Sequence, residues 1–366
     1  MKFLHKTILV FLVAAFMIPA TSFGQRPVHR QDLRAMAMGG TYSAFGTGTS
    51  VLFFNPALLN NAGFHMDLAS VQLLANKRAQ NVAQFVFDNQ DKFENFDSLS
   101  TEDANQFLKD VDSFDDRYVG FGVSPTVGLT FPHFGVGAYG DVSPAVRLDK
   151  GIYVPRIYMK GHVDAVVGAG IGFGIPLPGK KLLAGITGKY IQRYELDEVK
   201  INASEIGNLE DMATTMLDTL QDPSTGIAFD FGVLMPMSSK LDLGVTLQDV
   251  GSVGNTSLPA RFNAGFAYYL KREKGPFVKR FVITGDLRDA FNSAGTSLFN
   301  HVHLGTELKI PLLRFRAGIN QGYVTYGAGI QFLLFHLDYA YVGQEFGQAP
   351  GWQPEFSHMA QLRIGF

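Results

Sequence analysis

The 366-residue chain contains no cysteine, which excludes a disulfide scaffold, a thiolate metal site, a cysteine nucleophile and a lipidated cysteine. Charge is scarce too: Asp, Glu, Lys and Arg make up 17% of the residues, against about 25% in soluble domains. The formal net charge of −2 leaves no field to gather nucleic acid. Long apolar runs are also missing. Ile8–Ala20 is uncharged for 13 residues, short of the roughly 20 that a spanning helix needs. Val163–Leu177 is apolar apart from Asp164, but Gly168, Gly170, Gly172, Gly174 and Pro176 interrupt it. Glycine (40) and phenylalanine (32) are abundant instead. Many glycines and aromatics with little charge suit a large membrane sheet.

The N-terminus reads as an export signal. Lys2 and Lys6 precede the apolar stretch, and Thr21-Ser22-Phe23-Gly24 supplies small residues at its exit. A positive start, a short apolar core and a small-residue exit describe a cleaved secretory signal. The expected division is a signal peptide at 1–24, an N-terminal segment at 25–63 and a sheet at 64–366. A chain that is exported without a spanning helix is either soluble or crosses a membrane as a β-barrel.

Period two decides between these. In the last eleven residues, Phe356, His358, Ala360, Leu362, Ile364 and Phe366 share one parity, while Ser357, Met359, Gln361, Arg363 and Gly365 share the other. A strand sends the two parities to opposite faces, which fits lipid outside and a polar lumen inside. The same alternation recurs at 241–248, 261–270, 301–310, 314–320 and 335–341. Strands are expected near 64–75, 80–88, 118–130, 134–148, 153–176, 181–196, 226–235, 240–250, 259–271, 279–289, 300–310, 313–320, 324–333, 335–343 and 356–366. Single-chain bacterial barrels have an even number of strands, so one of these fifteen lies outside the wall and the expected count is fourteen.

Short connections fall at 177–180, 237–239 and 310–312, and long ones near 89–117, 197–225, 290–299 and 343–355. Short turns at one end and long loops at the other are how outer-membrane barrels are built. Two long loops have helical patterns. Thr101–Asp110 begins with a cap and an acidic first turn. Ser204–Leu220 spaces its apolar residues by three and four, as a lid, a docking helix or a loop packed on its own barrel.

Residues 25–63 do not alternate. They carry Arg34-Ala-Met-Ala-Met-Gly39-Gly40, then Phe54-Asn55-Pro56-Ala57-Leu58. The glycine pair permits φ > 0 or close backbone approach, and Asn55-Pro56-Ala57 marks a turn. An apolar segment ahead of a barrel finds shelter inside it. This segment resembles the N-terminal hatch of the FadL-type long-chain fatty-acid transporters and their toluene-type relatives. The resemblance continues more loosely through Asp286-Leu287-Arg288-Asp289 and the last strand. It implies a fourteen-strand antiparallel barrel whose lumen the hatch fills, with Gly39, Gly40, Asn55, Pro56 and Ala57 in the hatch. It also implies passive transfer of hydrophobic compounds across the bacterial outer membrane, in some members through a lateral opening. The terminal Phe366 resembles the aromatic that barrel-assembly machinery reads during insertion. A second branch of this fold, the PorV-type barrel, serves a protein-secretion machine as a structural partner instead.

The chemical motifs are weaker. Gly168-Ala-Gly170-Ile-Gly172-Phe-Gly174 looks like a phosphate loop, but strict period two without a strand–turn–helix context reads as glycines on one strand face. His301, His303, His336 and His358 lack metal-ligand spacing, Asp115-Asp116 reads as a loop start, and the Asn202-Ala-Ser204 sequon carries little weight in a bacterial surface protein. No catalytic set, cofactor or metal is expected. Asp286, Arg288, Glu307, Lys309, Arg314, Arg316, Asp338 and Arg363 share the polar parity of successive strands. They are expected to line the lumen as a mixed-sign network that holds the hatch or a ligand's carboxylate, since unpaired buried charge is costly. The expected partners are outer-membrane lipid, a hydrophobic small molecule, the insertion machinery and, on the alternative reading, secretion-system proteins.

Overall fold

A computed structural model describes residues 31–366 apart from 115–116, 152–153, 178–179, 202–221, 273–274, 276 and 293–294. The signal sequence, the start of the N-terminal segment, Asp115-Asp116 and the Ser204–Leu220 pattern lie outside the described residues. The strands are β1 (His65–Asn76), β2 (Val119–Phe131), β3 (Phe134–Val142), β4 (Ala145–Asp149), β5 (Arg156–Leu177), β6 (Lys180–Ile201), β7 (Ser224–Pro236) and β8 (Leu241–Val253). They continue as β9 (Thr256–Ser257), β10 (Arg261–Lys271), β11 (Arg280–Leu287), β12 (Val302–Lys309), β13 (Leu313–Asn320), β14 (Tyr323–Phe332), β15 (Phe335–Glu345) and β16 (Pro354–Gly365). Neighbours pair antiparallel, and β1 pairs with both β2 and β16, which closes the sheet. β3 and β4 occupy one stave between β2 and β5, and β9 only doubles back on β8. The barrel therefore has the fourteen staves expected. Closure satisfies the backbone of every stave through its neighbours, as a lipid environment demands.

Alternation sets the two faces. On β5, Val167, Ile171 and Phe173 are exposed, while Gly168, Gly170 and Gly172 point inward against Phe53, Leu52 and Asn60. On β16, Leu362 faces out, whereas Met359 and Gly365 are buried. The short connections at 132–133, 237–240, 310–312 and 333–334 share one end of the barrel with Phe366. The long ones gather at the other end, together with one tight turn at Gln321-Gly322, whose φ angles of 54° and 90° suit a two-residue hairpin.

The extra strand expected at 80–88 is a helix, α3 (Lys77–Asp88). The earlier helices are α1 (Leu33–Ala37) and α2 (Val51–Phe54), and α4 (Gln90–Glu94) and α5 (Thr101–Asp112) follow α3. Asn76 caps α3 by accepting from the Arg78 amide, and Ala79, Val82 and Val86 form one buried face. That helical spacing outweighs the β-branched and aromatic content that suggested a strand. At α5 the cap is Ser100, which accepts from the Asp103 amide at 3.1 Å.

These helices lie on the outside of the wall. Val119 pairs with Val146, Val146 with Met159, and Leu148 with Ile157. Paired residues share a sheet face, and this one carries the exposed Val123, Val127 and Val167 further along. The apolar sides of α3 and α5 cluster with Val119, Val146, Leu148, Ile157 and Met159, and Phe85, Phe93 and Phe96 pack around Phe107. The outer surface just beyond the lipid-facing band is thus covered by protein. Among the described residues no helix is long and apolar enough to cross a membrane.

Candidate functional site

The N-terminal segment crosses the lumen, touching β13–β16 with residues 33–39 and β5–β7 with residues 52–60. Asp32 caps α1 through the Ala35 amide, and the Leu33 amide donates to Gln72 Oε1 at 2.8 Å. At the end of α1 the chain reverses through Gly39 and Gly40, with φ of 70° and 86°. A Cβ on Gly39 would collide with the carbonyls of Leu304 and Ile319, so both the conformation and the space require glycine. The Gly39 amide donates to Thr325 Oγ1 at 3.1 Å, and its carbonyl meets His303 Nδ1 at 2.7 Å.

Asn55 ties the second half of the segment together. Its Oδ1 accepts from the Ala57 amide at 3.0 Å, and its Nδ2 donates to the Ser43 carbonyl at 2.5 Å. Pro56 opens the 3-10 turn Pro56–Asn61, where its missing N–H costs nothing. Wall glycines make room for this backbone. A Cβ on Gly185 would meet Pro56, one on Gly232 would meet Asn55, one on Gly244 would meet Ser43, and one on Gly305 would meet Met38. Sequence reasoning placed glycines on the lumen face but could not find what they accommodate.

The eight charged residues expected to form one lumen network separate into three groups. Asp286 accepts from the Tyr42 amide, the Ser43 amide and the Ser43 hydroxyl, each at 2.8 Å. Arg288 lies 4.9 Å from the centre of the Tyr42 ring. Both therefore serve the N-terminal segment. The second group centres on Glu307, which is fully buried and bound by three arginines: Arg34 Nε at 2.9 Å, Arg280 Nη2 at 2.6 Å and Arg316 Nε at 3.0 Å. Arg316 Nη1 continues to Asp338 at 2.7 Å. Arg34 belongs to the N-terminal segment, so Glu307 is its ionic anchor on the wall. Arg34 and Arg280 also lie over the Phe45 ring, 4.2 Å and 4.8 Å from its centre. The third group, Lys309, Arg314 and Arg363, lines a cavity at the short-turn end.

Sequence reasoning missed other lumen groups. Lys189 binds Asp230 at 2.7 Å and Asp249 at 2.5 Å, Arg261 binds Asp249 at 2.6 Å, and Arg193 holds Asp164 with two bonds of 2.7 Å. Gln248 Nε2 donates to the carbonyls of Phe53 and Phe54, and Thr187 Oγ1 to that of Leu52. Parity was the available signal for all of these but Asp249, which sits at a register shift in β8, out of step with Asp242, Thr246 and Gln248. The histidines take structural partners: His301 meets the Arg288 carbonyl and His358 the Tyr339 hydroxyl. Phe366 seals the seam, exchanging backbone bonds of 2.7 and 3.0 Å with Met66 and stacking on Phe64.

Among the described residues, cavities lie on either side of the segment. One of about 600 Å3 opens at the short-turn end, and one of about 710 Å3 lies toward the long loops, lined by Leu74, Tyr118, Lys160 and Phe346 among others. Burial and the Glu198 carboxylate push the Tyr118 hydroxyl up to about 12, so it stays a donor to that carboxylate. Between β3 and β4 the wall holds together: the Ser143 amide donates to the His162 carbonyl at 3.0 Å and the Phe121 amide to the Pro144 carbonyl at 3.1 Å. Pro144 removes one donor without opening a gap there.

No protein-family model and no curated protein matches the chain. Solved structures do. The chain is similar to the TodX monoaromatic hydrocarbon channel in its deltaS2 mutant form, with a TM-score of 0.53 and 14% identity over 92% of this chain and 97% of that one. Against the Pseudomonas putida toluene transporter TodX the TM-score is 0.50, with 14% identity over 93% of this chain and 98% of that one. At such identity the likeness is one of architecture. The chain has the fold of these channels, a closed fourteen-stave barrel with its N-terminal segment in the lumen, which is the FadL-type fold that its N-terminal motif implied.

Proposed function

We propose that the protein is an outer-membrane channel for passive uptake of hydrophobic small molecules, fatty-acid-like or aromatic. The observation that carries this reading is the plugged fourteen-stave barrel shared with a monoaromatic hydrocarbon channel. Two cavities separated by the N-terminal segment agree with it. On this reading the segment is the hatch, with Gly39, Gly40, Asn55, Pro56 and Ala57 holding its shape. Asp286, Arg288 and Glu307 hold it to the wall. The first 24 residues are removed on export, and Phe366 addresses the chain to the insertion machinery.

The wall supports an axial route. β3 and β4 remain hydrogen-bonded to their neighbours, and α3 and α5 cover the outer face beside them. Cargo therefore passes along the axis, from the long-loop cavity past the hatch to the short-turn cavity, rather than sideways. The reading needs no catalysis and no cofactor. Proteoliposomes carrying the purified barrel are expected to take up labelled toluene or long-chain fatty acid faster than empty ones. Absence of uptake together with a stoichiometric protein complex isolated from the native membrane would replace this reading with the secretion-partner one.

A further inference from the structure

We propose that the cavity at the short-turn end is an oxyanion site, built to hold a carboxylate or phosphate group. Seven Lys and Arg side chains but only five Asp and Glu side chains line its roughly 600 Å3, an excess of two positive charges. Each of the five carboxylates already has a hydrogen-bond or ion-pair partner in the wall or the N-terminal segment.

The donors left over point the same way. Arg314, Gln331, His336 and Arg363 form a row across β13 to β16, with Gln331 paired to His336 and His336 to Arg363. Arg314 donates to the neutral amide oxygen of Gln331. Arg363 Nη2 lies 2.8 Å from His336 Nδ1. A guanidinium can only donate, so Nδ1 is the acceptor and the neutral ring carries its proton on Nε2. That Nε2 is buried and has no hydrogen-bond partner, on a residue only 1% exposed. Arg34 Nη2, which borders the same cavity, is also buried without a partner. Buried polar groups are nearly always satisfied. Asp67 Oδ1 and Asp242 Oδ1 at the same cavity are buried without hydrogen-bond partners as well, but the two unsatisfied donors stand with the Arg314 and Arg363 guanidiniums, and that set calls for an acceptor that is itself negative. The group is the headgroup of an amphiphile passing through, or a free small anion from the compartment beyond.

Calorimetric titration of the barrel in nanodiscs tests this without transport, and so independently of the uptake reading. The probes are hexanoate for a headgroup, inorganic phosphate for a free anion and hexan-1-ol as the neutral control. Hexanoate, phosphate or both are expected to bind wild type at one site and at least tenfold more weakly to R314Q and H336L. K109Q, on the exposed side of α5 outside the wall, is expected to bind as wild type does. Hexanoate alone would identify a headgroup site, and phosphate alone a free-anion site. If H336L fails to show heat-modifiable mobility, R314Q decides, because Arg314 is partly exposed and its side-chain bond goes to Gln331 rather than to the N-terminal segment. Binding of neither anion, or binding that R314Q leaves unchanged, or hexanol binding lost in parallel, overturns the proposal.

Discussion

The Glu307 centre gives the sharpest test of how the N-terminal segment is held. Glu307 is completely buried and accepts from Arg34, Arg280 and Arg316 at 2.6 to 3.0 Å. E307A would leave three guanidiniums with Asp338 as the remaining carboxylate of the cluster. Removing one partner from a buried ion pair costs about 3–5 kcal/mol, because the other charge stays behind. Arg34 is the one partner on the segment, and its side chain keeps 16% exposure. R34A should cost less, about 1.5–3 kcal/mol for a hydrogen bond to a charged group. If the two residues act through each other, R34A should cost little once Glu307 is gone, a coupling of about 1–3 kcal/mol. Urea unfolding in lipid vesicles, followed by near-UV circular dichroism and heat-modifiable mobility, reads all three variants. An E307A protein within about 1 kcal/mol of wild type, or an R34A effect unchanged in the E307A background, would refute the anchor.

Replacing Asn55-Pro56-Ala57 by three alanines removes a cap worth about 0.5–2 kcal/mol and the bond to Ser43; a normally inserted barrel with raised single-channel conductance is expected. A Gly305→Val side chain would enter the space of the Met38 backbone, so the same rise in conductance is expected without loss of heat-modifiability. Phe107→Ala empties the centre of the aromatic cluster outside the wall, at about 3–5 kcal/mol. Limited proteolysis should then cut within residues 77–112 while the barrel stays intact.

Much of the wall was legible in the sequence because lipid outside and a polar lumen inside impose period two on every stave. The parity of Leu243, Phe266, Leu304 and Phe315 assigned their faces correctly. Residues 80–88 misled because Val82, Phe85 and Val86 have high strand propensity. The Asn76 cap and the apolar patch on the outside of β2, β4 and β5 made them a helix. The lumen charges were legible as a set, but their partners were not. Glu307 meets Arg316 through strand register, which alternation does not fix, and meets Arg34 across 273 positions of chain. The wall glycines show the same limit: their period is visible, whereas Pro56 against Gly185 depends on how the segment threads the lumen.

The central claim is that hydrophobic cargo passes the N-terminal segment rather than the wall. Thr41 Oγ1 and Thr284 Oγ1 lie 2.7 Å apart, one on the segment and one on β11, and the chain has no cysteine of its own. A T41C/T284C protein can therefore be locked by oxidation and released by reduction. The direct measurement is uptake of labelled toluene and long-chain fatty acid by proteoliposomes carrying this variant in both states. The expected result is uptake at the wild-type rate when reduced and a loss of at least tenfold when oxidised. Equal uptake in the two states, with the disulfide verified, would contradict the account.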